Sequence, residues 1–310
     1  MIYTMKKYLS LLAVIFTALC ISQCGTAQNR VLNSDVWKQK FSKIYTAETN
    51  VTYRKVSGEE MKADVYYCKN AIKSTPVLLF FHGGAWVKGS KDEMTFSQYM
   101  ESGWGIVNVE YRFANKYPMP ACVEDCRTVL AWIYAHANEY NFDTAKIITA
   151  GNSAGGHLAL ITGLLPSHSE FDSDCVYKGE MRVAAIINNY GPVDLNKLLD
   201  NPKVRNTSSR WFGDSKNFDD LARRISPITY IRPGCPPVFT THGDADPTVP
   251  YDQALILEKA LENAGVPHEL FTVKGGGHGK FDDVNKKEDL KRIAAFLVKY
   301  VGVATNFNVK

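Results

Sequence analysis

The chain has no apolar run long enough to cross a bilayer as a helix, which takes about 20 residues; the run from Tyr8 to Ile21 falls short. It has no strong excess of one charge, since 36 Lys and Arg stand against 32 Asp and Glu, a formal +4. There is no long basic block and no interleaving of aromatics with one, so no nucleic-acid partner is expected. Cysteine is sparse, seven in 310 residues with no C-x-x-C pair, which excludes a disulfide framework. No His/Cys/Asp cluster has zinc-like spacing, so no metal and no cofactor is assigned. Cys122 and Cys126, four apart on an expected helix, read as small buried hydrophobes. Internal repeats and low-complexity tracts are missing too. What remains is an ordinary globular balance, 45% hydrophobic and 22% charged, that fills one large α/β domain without needing a second.

The N-terminus has the grammar of a signal peptide over residues 1–27. Lys6 and Lys7 form a positive region, Tyr8 to Ile21 an apolar one, and Gly25 and Ala27 satisfy the small-x-small rule for cleavage before Gln28. Ile21-Ser22-Gln23-Cys24 loosely resembles a lipoprotein box, so a lipid-anchored Cys24 is the alternative fate. Either way the expectation is export, to the periplasm or outside the cell. Loss of Lys6 and Lys7, with no acid before Asp35, leaves the processed chain at about +2. Residues 28–50 then form an N-terminal segment and 51–310 the folded domain.

Val51 to Val56 and Met61 to Tyr67 predict a hairpin around Ser57-Gly58. After it come continuous apolar runs of strand length at Pro76–Phe81, Gly105–Val109, Lys146–Ala150, Val183–Asn188, Pro237–Thr241 and Glu269–Val273. Runs without alternation are what strands covered on both faces look like. Helical stretches fall between them at Asp92–Glu101, Met119–Tyr140, Ala154–Leu164, Tyr251–Ala264 and Lys286–Tyr300. The pattern predicts an α/β fold, a mostly parallel sheet with helices on both faces. The polar stretch from Asp194 to Ile231, broken by Pro202 and Gly213, stands outside this rhythm and is expected to project as a small cap.

Gly151-Asn152-Ser153-Ala154-Gly155-Gly156 sits between a predicted strand and a predicted helix. A strained strand-turn-helix elbow lifts a serine hydroxyl clear of the sheet, and it needs small residues two before and two after. Serine is a weak nucleophile, so a base must take its proton and a carboxylate must orient the base. His278, in Gly275-Gly276-Gly277-His278-Gly279, is the candidate base. That loop lacks the Lys-Ser/Thr pair of a phosphate cradle. Asp244 and Asp246 both follow the strand ending at Thr241. Asp246 is the candidate acid, because Asp244 lies closer to the strand end and suits an Asx turn in the loop. His136, His157, His168 and His268 read as ordinary polar residues. His82-Gly83-Gly84-Ala85-Trp86 follows another strand, and the amides of Gly84, Ala85 and Ala154 are placed by order to hold a developing oxyanion, with Gly83 the alternate donor.

Together with the pair Tyr111-Arg112, these motifs make the chain from about Val51 to Val301 resemble the hormone-sensitive-lipase-like α/β-hydrolases. Within them it is similar to the exported bacterial carbohydrate esterases that remove acetyl or feruloyl groups from plant polysaccharides. It departs from the family pattern at Ala85, where a third glycine is usual, and at Asn152, where aspartate is common. The resemblance implies the α/β-hydrolase fold, a Ser153–His278–Asp246 triad acting on short-chain esters, and a structural Arg112–Asp125 brace. The polar cap suits an open cleft more than a lipid cover, with a small acyl group beside Trp86 and a sugar resting on an aromatic face, Trp211 being the candidate. A lipase-like carboxylesterase and an amide hydrolase on the same triad are the alternatives; a binding module descended from an esterase is disfavoured by the intact motifs.

Overall fold

The computed structural model describes residues 41–68, 70–92, 94–213, 218–303, 305 and 307. The expected signal peptide and Cys24 lie outside them. Eight strands form one sheet: β1 (Thr46–Val56), β2 (Glu59–Tyr67), β3 (Thr75–Phe81), β4 (Gly105–Val109), β5 (Phe142–Asn152), β6 (Ala185–Asn189), β7 (Val238–Gly243) and β8 (His268–Val273), in the spatial order β1-β2-β4-β3-β5-β6-β7-β8. The pairs β1/β2 and β2/β4 are antiparallel and the rest parallel. Alternate residues of one strand feed opposite cores. Val77, Leu79 and Phe81 pack with the helices α2 (Ala121–Tyr140), α3 (Ala154–Leu164) and α8 (Asp252–Asn263). Leu78 and Phe80 pack with α1 (Ser97–Glu101) and α9 (Asp283–Val301). Burial on both sides is why the strand sequences are continuously apolar. This is the α/β-hydrolase fold.

Three differences from the sequence reading have physical causes. First, β1 begins at Thr46, ahead of Val51, and Phe41 and Tyr45 already belong to the core, so the folded domain starts within the segment assigned to 28–50. Register shifts between Glu48 and Val51 and between Thr52 and Arg54 break the two-residue alternation that marks a strand in sequence. Second, the helix expected over Asp92–Glu101 is confined to Ser97–Glu101. Lys91 is held against the sheet, its ammonium 3.0 Å from Asp64, its amide donating to Glu110 and its carbonyl accepting from the Asn108 side chain. Third, the cap is a string of short helices, α4 (Leu195–Leu199), α5 (Pro202–Arg205), α6 (Ser209–Phe212) and α7 (Phe218–Arg224), followed by a 3-10 turn at Pro227–Tyr230. Cys122 and Cys126 are fully buried and unbonded, filling space on α2.

One buried electrostatic knot fixes α2 to the sheet. Asp125 is fully buried and accepts from the Arg112 amide at 2.8 Å, from Arg112 Nε at 2.9 Å and from Arg54 at 2.6 Å. Arg112 also donates to Glu124 and to the Ala121 carbonyl. Neutralising this carboxylate would remove the one fully buried partner the two guanidiniums share, leaving them only Glu124 and Asp174 nearer the surface, and an under-compensated buried charge is costly. Asp125→Asn is therefore expected to lose about 3 kcal/mol of unfolding free energy, measured by urea denaturation, with the far-UV circular dichroism of the folded protein unchanged.

Candidate active site

At the end of β5 the chain reverses through Ser153, whose φ of 55° and ψ of −120° place a non-glycine residue in a costly region of backbone space. The turn survives because its neighbours allow close passage. A Cβ on Gly155 would collide with the Phe81 carbonyl of β3, so elbow and adjacent strand touch backbone to backbone. The Ser153 amide donates to the Asn189 carbonyl of β6 at 2.8 Å, pinning the turn from the other side.

The loops after β7 and β8 bring their side chains to this serine. Ser153 Oγ donates to His278 Nε2 at 2.8 Å, and His278 Nδ1 donates to Asp246 Oδ2 at 2.7 Å. Burial acts to raise the Asp246 carboxyl, but hydrogen bonds from His242, His278 and the amides of Thr248 and Val249 outweigh it and hold the group well below the usual carboxylate range. An ionised Asp246 fixes the imidazole tautomer that leaves Nε2 free to take the serine proton.

The two aspartates exchange the roles expected of them in turn formation. It is Asp246 that closes the turn, its Oδ1 accepting from Thr248 at 2.7 Å and Val249 at 3.0 Å. Asp244 is exposed and accepts from the Gly275 amide at 2.5 Å, tying the loop that carries Asp246 to the loop that carries His278. One participant escaped the sequence reading. His242 is fully buried, with Nε2 at 3.0 Å from the Val249 carbonyl and 3.4 Å from Asp246 Oδ2, so it carries its proton on Nε2 and supports the acid from behind. Its spacing from Asp246, four residues from near the end of β7 into the following loop, was the available signal.

The oxyanion candidates line the spaces that Ser153 opens into. Gly83, Gly84, Ala85 and Ser153 line an open cleft of about 660 Å³ together with Asn152, Tyr190 and His278. Among the described residues the amides of Gly84, Ala85 and Ala154 donate to no other protein group, leaving them available to a ligand. Ala85 and Trp86 have φ of 53° and 59°, so alanine occupies here a conformation that glycine adopts more easily. Tyr111 secures this loop by donating to the His82 carbonyl at 2.9 Å while its ring stacks on the His82 imidazole.

Behind the cleft lies a second cavity of about 80 Å³, walled by Ala85, Trp86, Ala154, Leu198, Val204 and Trp211, and open to Ser153. Its walls come from the oxyanion loop, the elbow helix and the cap, and His157 joins all three. The Trp86 indole donates to His157 Nδ1 at 3.2 Å, and His157 Nε2 donates to the Ile225 carbonyl of the cap at 2.8 Å. Burial pushes the His157 imidazole down to about 4, against the opposing effect of the Ile225 carbonyl, so it remains the neutral acceptor that Trp86 needs. Trp211 meets Trp86 edge to face at 5.0 Å. It thus walls the small cavity, and does not offer a free face to the cleft.

A BD-FAE family model matches residues 63–261. Esterase LipC of Mycobacterium tuberculosis is 28% identical over 222 residues, covering 67% of this chain and 53% of its own length. The chain spans about half the length of the curated relatives it matches. Among solved structures, a propionate-bound esterase, Est2 of Thermogutta terrifontis, superposes with a TM-score of 0.68 at 26% identity, over 83% of this chain and 95% of the other. A truncated carbohydrate esterase from gut microbiota gives 0.67 at 22% identity, over 79% of this chain and 94% of the other, a likeness of fold.

If Ser153 is the nucleophile, Ser153→Ala will lower ester turnover by about a million-fold while circular dichroism stays unchanged; retention of more than a few per cent of activity would exclude the assignment. Between the aspartates, Asp246→Asn is expected to cost at least a hundred times more kcat than Asp244→Asn, since a wrong imidazole tautomer costs about 10⁴ in the chymotrypsin template.

Proposed function

The chain belongs to the BD-FAE family, and from that membership and the geometry around Ser153 we propose that it is a serine-dependent carboxylic ester hydrolase acting on short acyl groups, acetyl above all, carried by saccharides. The observation that carries the reading is the continuous path Asp246–His278–Ser153, at 2.7 and 2.8 Å, ending beside free backbone amides. Ser153 Oγ attacks the ester carbonyl as His278 Nε2 takes its proton. The oxyanion forms against the amides of Gly84, Ala85 and Ala154, donors worth roughly 3 kcal/mol each in such sites. Collapse of the intermediate expels the alcohol, which receives the proton from His278 and leaves an acyl-Ser153. Water, deprotonated by the same imidazole, then releases the acid.

The acyl side is limited by the cavity behind Trp86. At about 80 Å³ it is small, and its apolar wall suits a short tail such as an acetyl methyl better than a bulky aromatic acyl group. The Thermogutta esterase has been captured with propionate and with butyrate, which agrees with small acids on this fold. Among the described residues, the cap supplies short helices and no long amphipathic one. A substrate polysaccharide lies outside the cell, and the signal-peptide grammar of residues 1–27 supports export as part of the same reading.

A p-nitrophenyl ester series from two to twelve carbons tests the acyl assignment. The expected kcat/KM is greatest at two to four carbons and at least about tenfold lower at eight, with no jump in rate on passing from dissolved to micellar substrate. An optimum at eight carbons or beyond would replace the saccharide reading with a lipase, and faster turnover of methyl ferulate than of acetyl esters would move the acyl group out of the small cavity.

A further inference from the structure

A third cavity, of about 390 Å³, opens on the side of the cleft away from Trp86, and the two spaces share Asn152, Tyr190 and Gly279 as lining. Its position matters for the chemistry. The leaving oxygen must come within hydrogen-bond reach of His278 Nε2 to be protonated. The acyl tail occupies the Trp86 side, so the alcohol is directed past His278 and Gly279, toward this third space.

Tyr190 forms the threshold. Its φ of 44° is a left-handed value for a bulky residue, a strained geometry held by its amide donating to Thr241 at 2.7 Å. Its ring meets His278 edge to face at 4.8 Å and Phe281 at 6.0 Å, and a Cβ on Gly279 would lie 2.6 Å from its hydroxyl. That hydroxyl bonds no other protein group among the described residues, although the side chain is largely enclosed. Asn152 lies beside it. Its Oδ1 accepts from the Asn189 amide at 2.9 Å, while its own Nδ2 has no protein partner among the described residues. Deeper in, Asp289 is bonded to the Thr241 hydroxyl, and burial pushes its carboxyl up to about 6, with Thr241 and Arg292 opposing. A hydroxyl-rich ligand would supply the donors such a carboxyl lacks.

On the premise that the chain hydrolyses acetyl esters, we propose that the cavity beyond Tyr190 is the leaving-group subsite for a neutral pyranose ring. One face of the ring rests on Tyr190, and its hydroxyls bond Asn152 and the Tyr190 hydroxyl. The volume lies within the range of small-molecule sites, and the lining has their composition, apolar walls with a few convergent polar groups. The asparagine at position 152 belongs to the same design. An aspartate there would present a charge beside the nucleophile, whereas the amide offers a neutral donor to a sugar hydroxyl.

The test pairs two substrates of one acyl group, ethyl acetate, whose alcohol is too short to cross Tyr190, and mono-acetylated methyl β-xyloside. Tyr190→Phe removes the hydroxyl, and Gln98→Trp fills the cavity from its outer wall on α1. Each is expected to lower the ratio of kcat/KM for the xyloside ester to that for ethyl acetate by at least about tenfold, mainly through KM. Equal losses on both substrates would overturn the proposal, since they would mean that Tyr190 acts only through His278. Binding of unacetylated methyl β-xyloside, followed by saturation-transfer NMR, gives a readout without turnover. Binding to the parent protein that weakens in Gln98→Trp supports the subsite, and absent or unaltered binding overturns it. An inactive protein that still binds the xyloside in this way would sink the hydrolase reading and leave the subsite standing.

Discussion

At the elbow, a serine held at φ 55° must sit where β5 gives way to α3, and the backbone of the helix's first turn must pass against the carbonyl end of β3. Nothing larger than glycine passes at position 155, because any Cβ there would occupy the Phe81 carbonyl oxygen. The rest of the site depends on that contact. It keeps Ala154, at the start of the elbow helix, next to Ala85 of the loop after β3, the two lining one cavity with Ser153. The strain, of order 1–3 kcal/mol for such a residue, is sustained by the parallel pairing of β3, β5 and β6 on either side.

Around this rigid centre the other groups arrive on loops, and the fold restrains each loop by a separate polar tie. Asp244 joins the loops bearing acid and base; His242 and two amides hold Asp246; Tyr111 holds the oxyanion loop through the His82 carbonyl. His157 connects that loop and the elbow helix to the cap. Such positioning matters because catalysis by proton transfer and oxyanion stabilisation falls steeply with sub-ångström misplacement. The space around Ser153 is also divided: a small apolar cavity lies on the side of Trp86 and Trp211, and a larger space with a few polar groups, Asn152 and Asp289 among them, on the side of His278 and Tyr190.

The architecture was legible in the sequence wherever its cause was local. Strands buried on both faces are continuous apolar runs, and Gly105–Val109 is read without error because no bulge interrupts it. The elbow is legible because the steric demand on Ser153 is met by residues within two positions of it. Helix α3 matches its expected bounds for the same reason, starting where the elbow ends. The start of β1 was not legible, since its bulges erase the alternation, and the shortened α1 was hidden because the groups holding Lys91 come from β2 and β4.

Chain order and local spacing by themselves determined the fold class and singled out Ser153, His278 and a pair of aspartates as side chains that would meet. Only the tertiary structure decided what each aspartate bonds, that a buried His242 stands behind Asp246, that His157 is a clip to the cap, and that Trp211 closes a small cavity instead of offering a platform. The physical reason is that these properties belong to contacts between segments far apart in the chain. The Ser153–His278 bond spans 125 residues and the Asp246–His278 bond 32. A periodic pattern records which face of an element is buried, but it carries no information on which polar atom will be left without water, and so in need of a partner, once the loops converge.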